Sequence, residues 1–125
     1  MSLDAFPERA TQPDVVRNLV RILGTGAANP TKVFGAGVTV TRVSDGRYRF
    51  VWGDAPGEYI GMVPGFQATT PADVDGFTAV AGVYSASTKT VDVYVYDDTP
   101  ALANLAALNW LTLDFIFKRT GSTAG

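Results

Sequence analysis

The chain has neither cysteine nor histidine. Without cysteine there is no disulfide, no thiolate nucleophile and no cysteine-based zinc site. Without histidine there is no Ser–His or Cys–His pair, and the one side chain that ordinarily titrates near neutrality is missing. Most familiar routes to catalysis are closed, and cysteine usage says nothing about redox compartment. Charge is sparse too: charged residues make up 18% and the net charge is −2, the wrong sign for a nucleic-acid-binding face. Long apolar runs are also missing. The longest uncharged stretch, Thr99 to Leu113, contains Pro100, Asn104, Asn109 and Thr112. It falls short of the ~20 apolar residues of a spanning helix, so a soluble domain without membrane contact is expected. The opening residues, Met1 to Arg9, place no apolar run behind a basic segment and do not read as a secretory signal.

What is present is a hydrophobic fraction of 46% in 125 residues, enough for one domain with a real core. The 13 Gly and 7 Pro fall between short runs rich in Val, Thr, Tyr, Phe and Trp, the punctuation of an all-β chain. The clearest unit is Val38–Val43, then Ser44-Asp45-Gly46, then Arg47–Trp52. Asp-Gly between alternating strands predicts a hairpin with a type I′ turn. The two-residue period puts Tyr48, Phe50 and Trp52 on a core face, with Arg47, Arg49 and Val51 on the other. A second hairpin is expected from Phe77–Tyr84 and Thr90–Tyr96, with Val91, Val93 and Val95 inward and Asp92, Tyr94 and Tyr96 in an outer row. In Trp110–Lys118, Leu111, Leu113, Phe115 and Phe117 alternate with polar or outward residues, and this strand is expected to lie centrally in a sheet.

Glu58–Thr69 reads as a strand disturbed by Gly61 and Pro64-Gly65. Val15–Leu23 reads as a strand from its β-branched content, with a helix as the alternative because Thr11 and Asp14 have roughly capping-box spacing. Thr99-Pro100 predicts an N-cap with proline at the first helical position, followed by a helical turn or two over Ala103–Leu108. About seven closely spaced strands predict a single β-sandwich of jelly-roll or immunoglobulin-like type. It should occupy residues 14–119, between an extended N-terminal arm (residues 1–13) and a C-terminal tail (residues 120–125).

No cofactor motif is complete. Gly24-Thr25-Gly26 lacks the following Gly-Lys-Ser/Thr of a phosphate loop and reads as a plain turn. Asp97 and Asp98 offer two carboxylates for a calcium ion, with no fuller ligand pattern around them. A hydrolytic carboxylate pair drawn from Asp54, Glu58, Asp73, Asp75, Asp92 and Asp114 is the enzymatic option. Binding residues stand out more clearly. With Asp45-Gly46 at the turn, Val43 faces Tyr48 and Arg42 lies opposite Arg49, a like-charge pair that calls for a counter-charge from the chain itself or from a partner. Tyr94 and Tyr96, with Tyr59 and Tyr84 nearby, suit a protein contact or a sugar-stacking platform. The arm carries Leu3, Phe6 and Pro7 on a segment too poor in apolar residues to fold on itself, which suits lying across another subunit.

The blocks Gly24–Lys32, Gly35–Arg42, Gly46–Trp52 and Ala106–Lys118 resemble small virion structural proteins of tailed bacteriophages, over roughly Arg17 to Lys118. Whole chains of this size in that group are often capsid decoration or cement proteins on the head exterior, commonly trimeric. The resemblance therefore implies a non-enzymatic protein that needs no cofactor, metal or small-molecule substrate, binds the major capsid protein, and is located on the outside of the virion capsid. It also implies that the stretch from Leu3 to Arg21, including Arg17 and Arg21, reaches capsid or neighbouring decoration subunits, while the face carrying Arg42, Arg47 and Arg49 meets carboxylates. The Gly-x-Tyr-x-Phe-x-Trp strand also suits tail-fibre and C1q-like β-domains, which implies the alternative of a tail-fibre or baseplate module recognising host-surface glycans.

Overall fold

Strict alternation of large apolar and polar side chains commits a segment to a half-covered strand, and the two most regular alternations here, Arg47–Trp52 and Asn109–Lys118, end up facing each other across the core. The computed structural model describes residues 15–54 and 56–118. The arm with Leu3, Phe6 and Pro7, and the 120–125 tail, lie outside the described residues. Among the described residues eight strands form: β1 (Val15–Leu23), β2 (Thr31–Phe34), β3 (Val38–Ser44), β4 (Arg47–Trp52), β5 (Glu58–Ala68), β6 (Thr78–Ala81), β7 (Thr90–Tyr96) and β8 (Asn109–Lys118). They pair antiparallel in two four-stranded sheets, ordered β2-β1-β8-β5 and β3-β4-β7-β6. Val15–Leu23 is the expected strand, and Asn109–Lys118 lies centrally between β1 and β5.

The two sheets share one core. Leu111, Leu113, Phe115 and Phe117 of β8, Tyr48, Phe50 and Trp52 of β4, Val91, Val93 and Val95 of β7, and Val20 and Ile22 of β1 are all buried in a single cluster. Aromatic rings join the layers: Phe115 lies 5.2 Å from Phe50 and 5.0 Å from Trp52, the latter edge-on, between ring centroids. Each such buried ring contributes roughly 1.5–3 kcal/mol by leaving water. One polar tie crosses the same space. The Trp52 indole N–H donates to Asn18 Oδ1 at 3.1 Å, and Asn18 donates in turn to the Ala36 carbonyl at 3.2 Å, so a polar residue on the inner face of β1 is satisfied.

Four local expectations change. First, the β3–β4 turn is not type I′. Only Gly46, at φ +69°, enters the left-handed region, while Asp45 does not, and a register shift between Arg42 and Ser44 leaves Val43 unpaired. Arg42 therefore pairs with Tyr48, and Thr41 with Arg49; the expected Arg42–Arg49 pair does not form. Second, Ala103–Leu108 is not helical. Asp97 Oδ1 accepts from Thr99 N–H (2.8 Å), Thr99 Oγ1 (2.6 Å) and Ala101 N–H (3.1 Å), which bends the chain away from a helical start. The donors beyond it bond outside the segment: Ala103 N–H to the Val95 carbonyl at 3.0 Å, and Leu105 N–H to the buried Tyr48 hydroxyl at 2.7 Å. Leu105 is fully buried, and the segment plugs one end of the core. Third, the short β2 goes unanticipated; it is exposed throughout and carries no alternation to announce it. Fourth, a 3₁₀ turn forms over Pro71–Val74.

β5 runs through its glycines and proline. A bulge between Tyr59 and Gly61 throws Ile60 out to 56% exposure, and Pro64 is tolerated because β5 is an edge strand. Among the described residues no helix is long and apolar enough to cross a membrane.

Candidate functional site

Alternation turns Arg47 and Arg49 of β4 outward, and the same rule turns Asp92, Tyr94 and Tyr96 of β7 outward. What brings them together is that β4 and β7 are neighbours in the register Arg47↔Tyr94 and Arg49↔Asp92. Asp92 thus lies directly opposite one arginine and diagonal to the other. Its Oδ1 accepts from Arg49 Nε at 2.8 Å; its Oδ2 accepts from Arg47 Nε at 2.8 Å, Arg47 Nη2 at 2.5 Å and Arg49 Nη2 at 3.1 Å. The carboxylate is nearly covered, with 12% of its side chain exposed, against 35% and 42% for Arg47 and Arg49. The hydrogen bond from Arg49, reinforced by Arg47, holds the Asp92 carboxyl below its ordinary value of 3.8 against the opposing effect of burial.

The cluster carries one positive charge in excess. Each guanidinium has five N–H donors, and Asp92 engages two nitrogens of each, so both arginines keep donors beyond those the carboxylate uses. Arg47 is fixed further by lying over the Tyr94 ring, 5.5 Å from its centroid. Beside them opens a cleft of about 440 Å³, also lined by Val83, Ser85 and Thr88 of the β6–β7 connection and by Thr90 at the start of β7. Gly82 closes its floor: its N–H donates to the Asp92 carbonyl at 2.8 Å, and a Cβ there would sit 3.3 Å from the Tyr94 ring. Val83 is 96% exposed. The counter-charge that the arginines require is therefore Asp92, from within the chain.

The other expected contact residues are distributed differently. Tyr96 stands on the same outer face, opposite Thr78 and bridged to Leu102. Arg42 is turned onto the hairpin tip instead. Its Nε donates to Asn104 Oδ1 at 2.9 Å and its Nη2 to Asp45 Oδ1 at 2.5 Å, while Asn104 also accepts from Gly46 N–H at 3.0 Å. Arg17 and Arg21 lie on the outer face of the opposite sheet. Arg17 is paired with Asp114, and Arg21 reaches across to Gln67 and over Trp110, 5.6 Å from its ring centroid. Leu3, Phe6 and Pro7 lie outside the described residues. Tyr59 and Tyr84 stack on each other at 5.7 Å and 13°, but at the end of the sandwich against Phe117 rather than beside Tyr94.

The remaining motifs resolve as structure. Gly24 N–H donates to the Asn109 carbonyl at 2.8 Å and Gly26 N–H to the Leu105 carbonyl at 3.0 Å, while Thr25 Oγ1 donates to the Asn29 carbonyl at 2.6 Å. The Gly24 and Gly26 amides are thus engaged within the chain, and the segment is a turn. Asp97 is held below its ordinary value by the Thr99 hydroxyl and by the Thr99 and Ala101 amides. Among the described residues no group of three or more carboxylates stands together as a metal site. Searches against family models, curated proteins and solved structures find no match to this chain.

Chemically the arrangement suits binding. A carboxylate clamped by two guanidiniums is a fixed anion that positions cations, and those cations with their unused donors suit an incoming carboxylate or other anion.

Proposed function

We propose that the protein is a non-enzymatic virion structural protein of a tailed bacteriophage, a decoration or cement protein that binds and bridges major capsid protein subunits on the exterior of the head. The observation that carries this reading is the outward Arg47–Asp92–Arg49 cluster with Tyr94: pre-set donors on rigid strands, beside a fully exposed valine, fitted to hold a partner's carboxylates. The resemblance of Arg17 to Lys118 to phage virion proteins supplies the class of partner. Attachment acts by mass action: a ligand that binds only the closed lattice raises the stability of that lattice, and bridging two subunits adds avidity without any reaction.

The jelly-roll or immunoglobulin-like type of sandwich is part of this proposal; its support is that two four-stranded antiparallel sheets share one core. The trimeric state is what the resemblance implies; Leu19 (51% exposed) and Val63 (55%) on the outer face of the β2-β1-β8-β5 sheet are the apolar residues that such a contact would cover. The 1–13 arm, through Leu3, Phe6 and Pro7, adds a second contact to capsid or to a neighbouring copy.

The test is copy number in purified virions, with and without the cluster. Arg47→Gln and Arg49→Gln are best combined with Asp92→Asn, so that no buried charge is left unpaired. A head-wide role predicts copies comparable with the major capsid protein and a clear loss of occupancy in the triple variant and after deletion of residues 2–13. A handful of copies per particle overturns it. That outcome, joined to glycan binding at this cleft, would favour a tail-fibre or baseplate module, a second reading supported by the hydroxyls of Ser85, Thr88 and Thr90 around Tyr94.

A further inference from the structure

Two pockets meet at one exposed residue. The cleft beside the arginine cluster and a second pocket, of about 640 Å³, share Gly82 and Val83 as lining residues. The second pocket lies where the start of β5, with Gly57, Glu58 and Tyr59, comes up to Tyr84 and Ala86 of the β6–β7 connection. Its wall is the Tyr59–Tyr84 stack, 5.7 Å between centroids, with Phe117 edge-on to both rings and Trp52 edge-on to Tyr84. Packing on several sides fixes this wall and leaves it an apolar, aromatic surface. Val83, between the two pockets, is 96% exposed, and Gly82, which has no side chain, raises no barrier beside it.

The two ends differ in chemistry. At one end Arg47 and Arg49 carry a positive charge in excess over Asp92 and keep unused donors. At the other end the tyrosine stack offers apolar area, with exposed Glu58 at its lip. A carboxylate is therefore drawn to the arginine end and repelled from the tyrosine end, which suits an apolar side chain. The Gly82 N–H donates to the Asp92 carbonyl, which places Gly82 beside the cluster. Tyr84 follows two residues later, at most about 7 Å along the chain. Side chains two positions apart on an extended segment share a face and stand at a matching separation.

We propose that the two pockets form one recognition groove for an extended segment of a protein partner. That segment carries Asp or Glu and, two positions away, an aromatic or large aliphatic residue. Its carboxylate lies on Arg47 and Arg49, its apolar side chain lies on the Tyr59–Tyr84 wall, and its backbone crosses Val83. The inference rests on the reading of the arginine cluster as a partner site, and it states which kind of capsid segment that site takes. An exposed charge contact alone is screened and weak; joined in one segment, the second contact becomes intramolecular and adds to the first.

The test titrates the full chain, ¹⁵N-labelled, with the blocked peptides acetyl-Asp-Gly-Phe-amide and acetyl-Phe-Gly-Asp-amide, because the groove fixes a spacing and not a chain direction. One of the two is expected to shift the Arg47 and Arg49 Nε–H signals together with the Gly57 and Ala86 amides, with a single dissociation constant. Replacing its Asp by Asn, or its Phe by Ala, is expected to weaken binding by about five-fold or more, read at both ends. Arg49→Gln should do the same, as should Val83→Asp at an exposed position where the fold is expected to be unaffected. Shifts confined to the arginine end, or a phenyl-free peptide that binds equally well, overturn the groove and leave the capsid reading to its own copy-number test. Absence of shifts with both peptides overturns it as well. Glucuronate binding more tightly than both peptides overturns it in favour of an acidic glycan. Coupled binding at both ends, in a protein present at only a handful of copies per virion, upholds the groove and removes the capsid as its partner.

Discussion

Asp92 is the residue on which the outer face turns. Replacing it with Asn removes the shared counter-ion and leaves two guanidiniums side by side, 35% and 42% exposed. Solvent screens that repulsion in part, so the expected cost is about 1–2 kcal/mol in urea unfolding at neutral pH. The pH dependence has a definite sign. Arg49 and Arg47 hold the folded-state carboxyl below its ordinary value, so its contribution is fully present above the unfolded value of about 4 and is lost as pH falls through the lower, folded one. The stability gap between the wild type and Asp92→Asn is therefore expected to stay constant from neutrality to about pH 5 and to close below about pH 4. A gap that widens on acidification would refute the clamp. The outward placement of Arg47, Arg49, Asp92, Tyr94 and Tyr96 was legible from alternation alone. Their meeting was not, because nothing local tells β4 that its neighbour is β7, and Arg42 was assigned to the same face for want of the one-residue shift at Val43.

At the scale of elements, period-two alternation was enough wherever one face of a strand is covered by large side chains. The buried sets Tyr48/Phe50/Trp52, Val91/Val93/Val95 and Leu111/Leu113/Phe115/Phe117 all lie as the pattern requires. It failed where structure depends on distant partners. Thr99-Pro100 carries a sound local helix-start signal, yet the donors of Ala103 and Leu105 bond to Val95 and Tyr48, and those partners lie in other strands. The turn after β1 shows the same dependence. A Cβ on Gly24 would lie 2.3 Å from the carbonyl oxygens of both Leu105 and Ala106, so the two connections interlock without room for a methyl group. Gly24→Ala is expected to cost about 1–3 kcal/mol, the usual penalty of overpacking. It should also loosen the plug, with faster amide exchange at Leu105, while leaving the Arg47–Asp92–Arg49 face unchanged by NMR shifts. Wild-type stability in Gly24→Ala would show that the interlock is soft.

At the scale of the molecule, the sandwich is closed by its most distant parts: β1 pairs along its whole length with β8, and the core has no counterpart without Phe115 and Phe117. A topology in which such distant segments must meet before the sheet closes folds slowly, on the millisecond-to-second scale of all-β sandwiches. Stopped-flow refolding followed through Trp52 is expected in that range, and microsecond folding would mean that a local unit forms independently. The two outer faces also differ in kind, one carrying the clamped arginines and tyrosines, the other Leu19, Val63 and the Arg17–Asp114 pair.

The pairing of Val15 with Lys118 gives the molecule a polarity that matters for anyone building with it. Val15 and Lys118, the first and last described residues, lie side by side at one pole, about one strand spacing of 5 Å apart, while the interlocked turns at Gly24, Gly46 and Leu105 close the other. Cargo joined before Val15 or after Lys118 would thus emerge from the same pole and leave the opposite one bare. A short linker across that pole would also permit circular permutation, with new ends cut into the exposed stretch between Ser85 and Thr88.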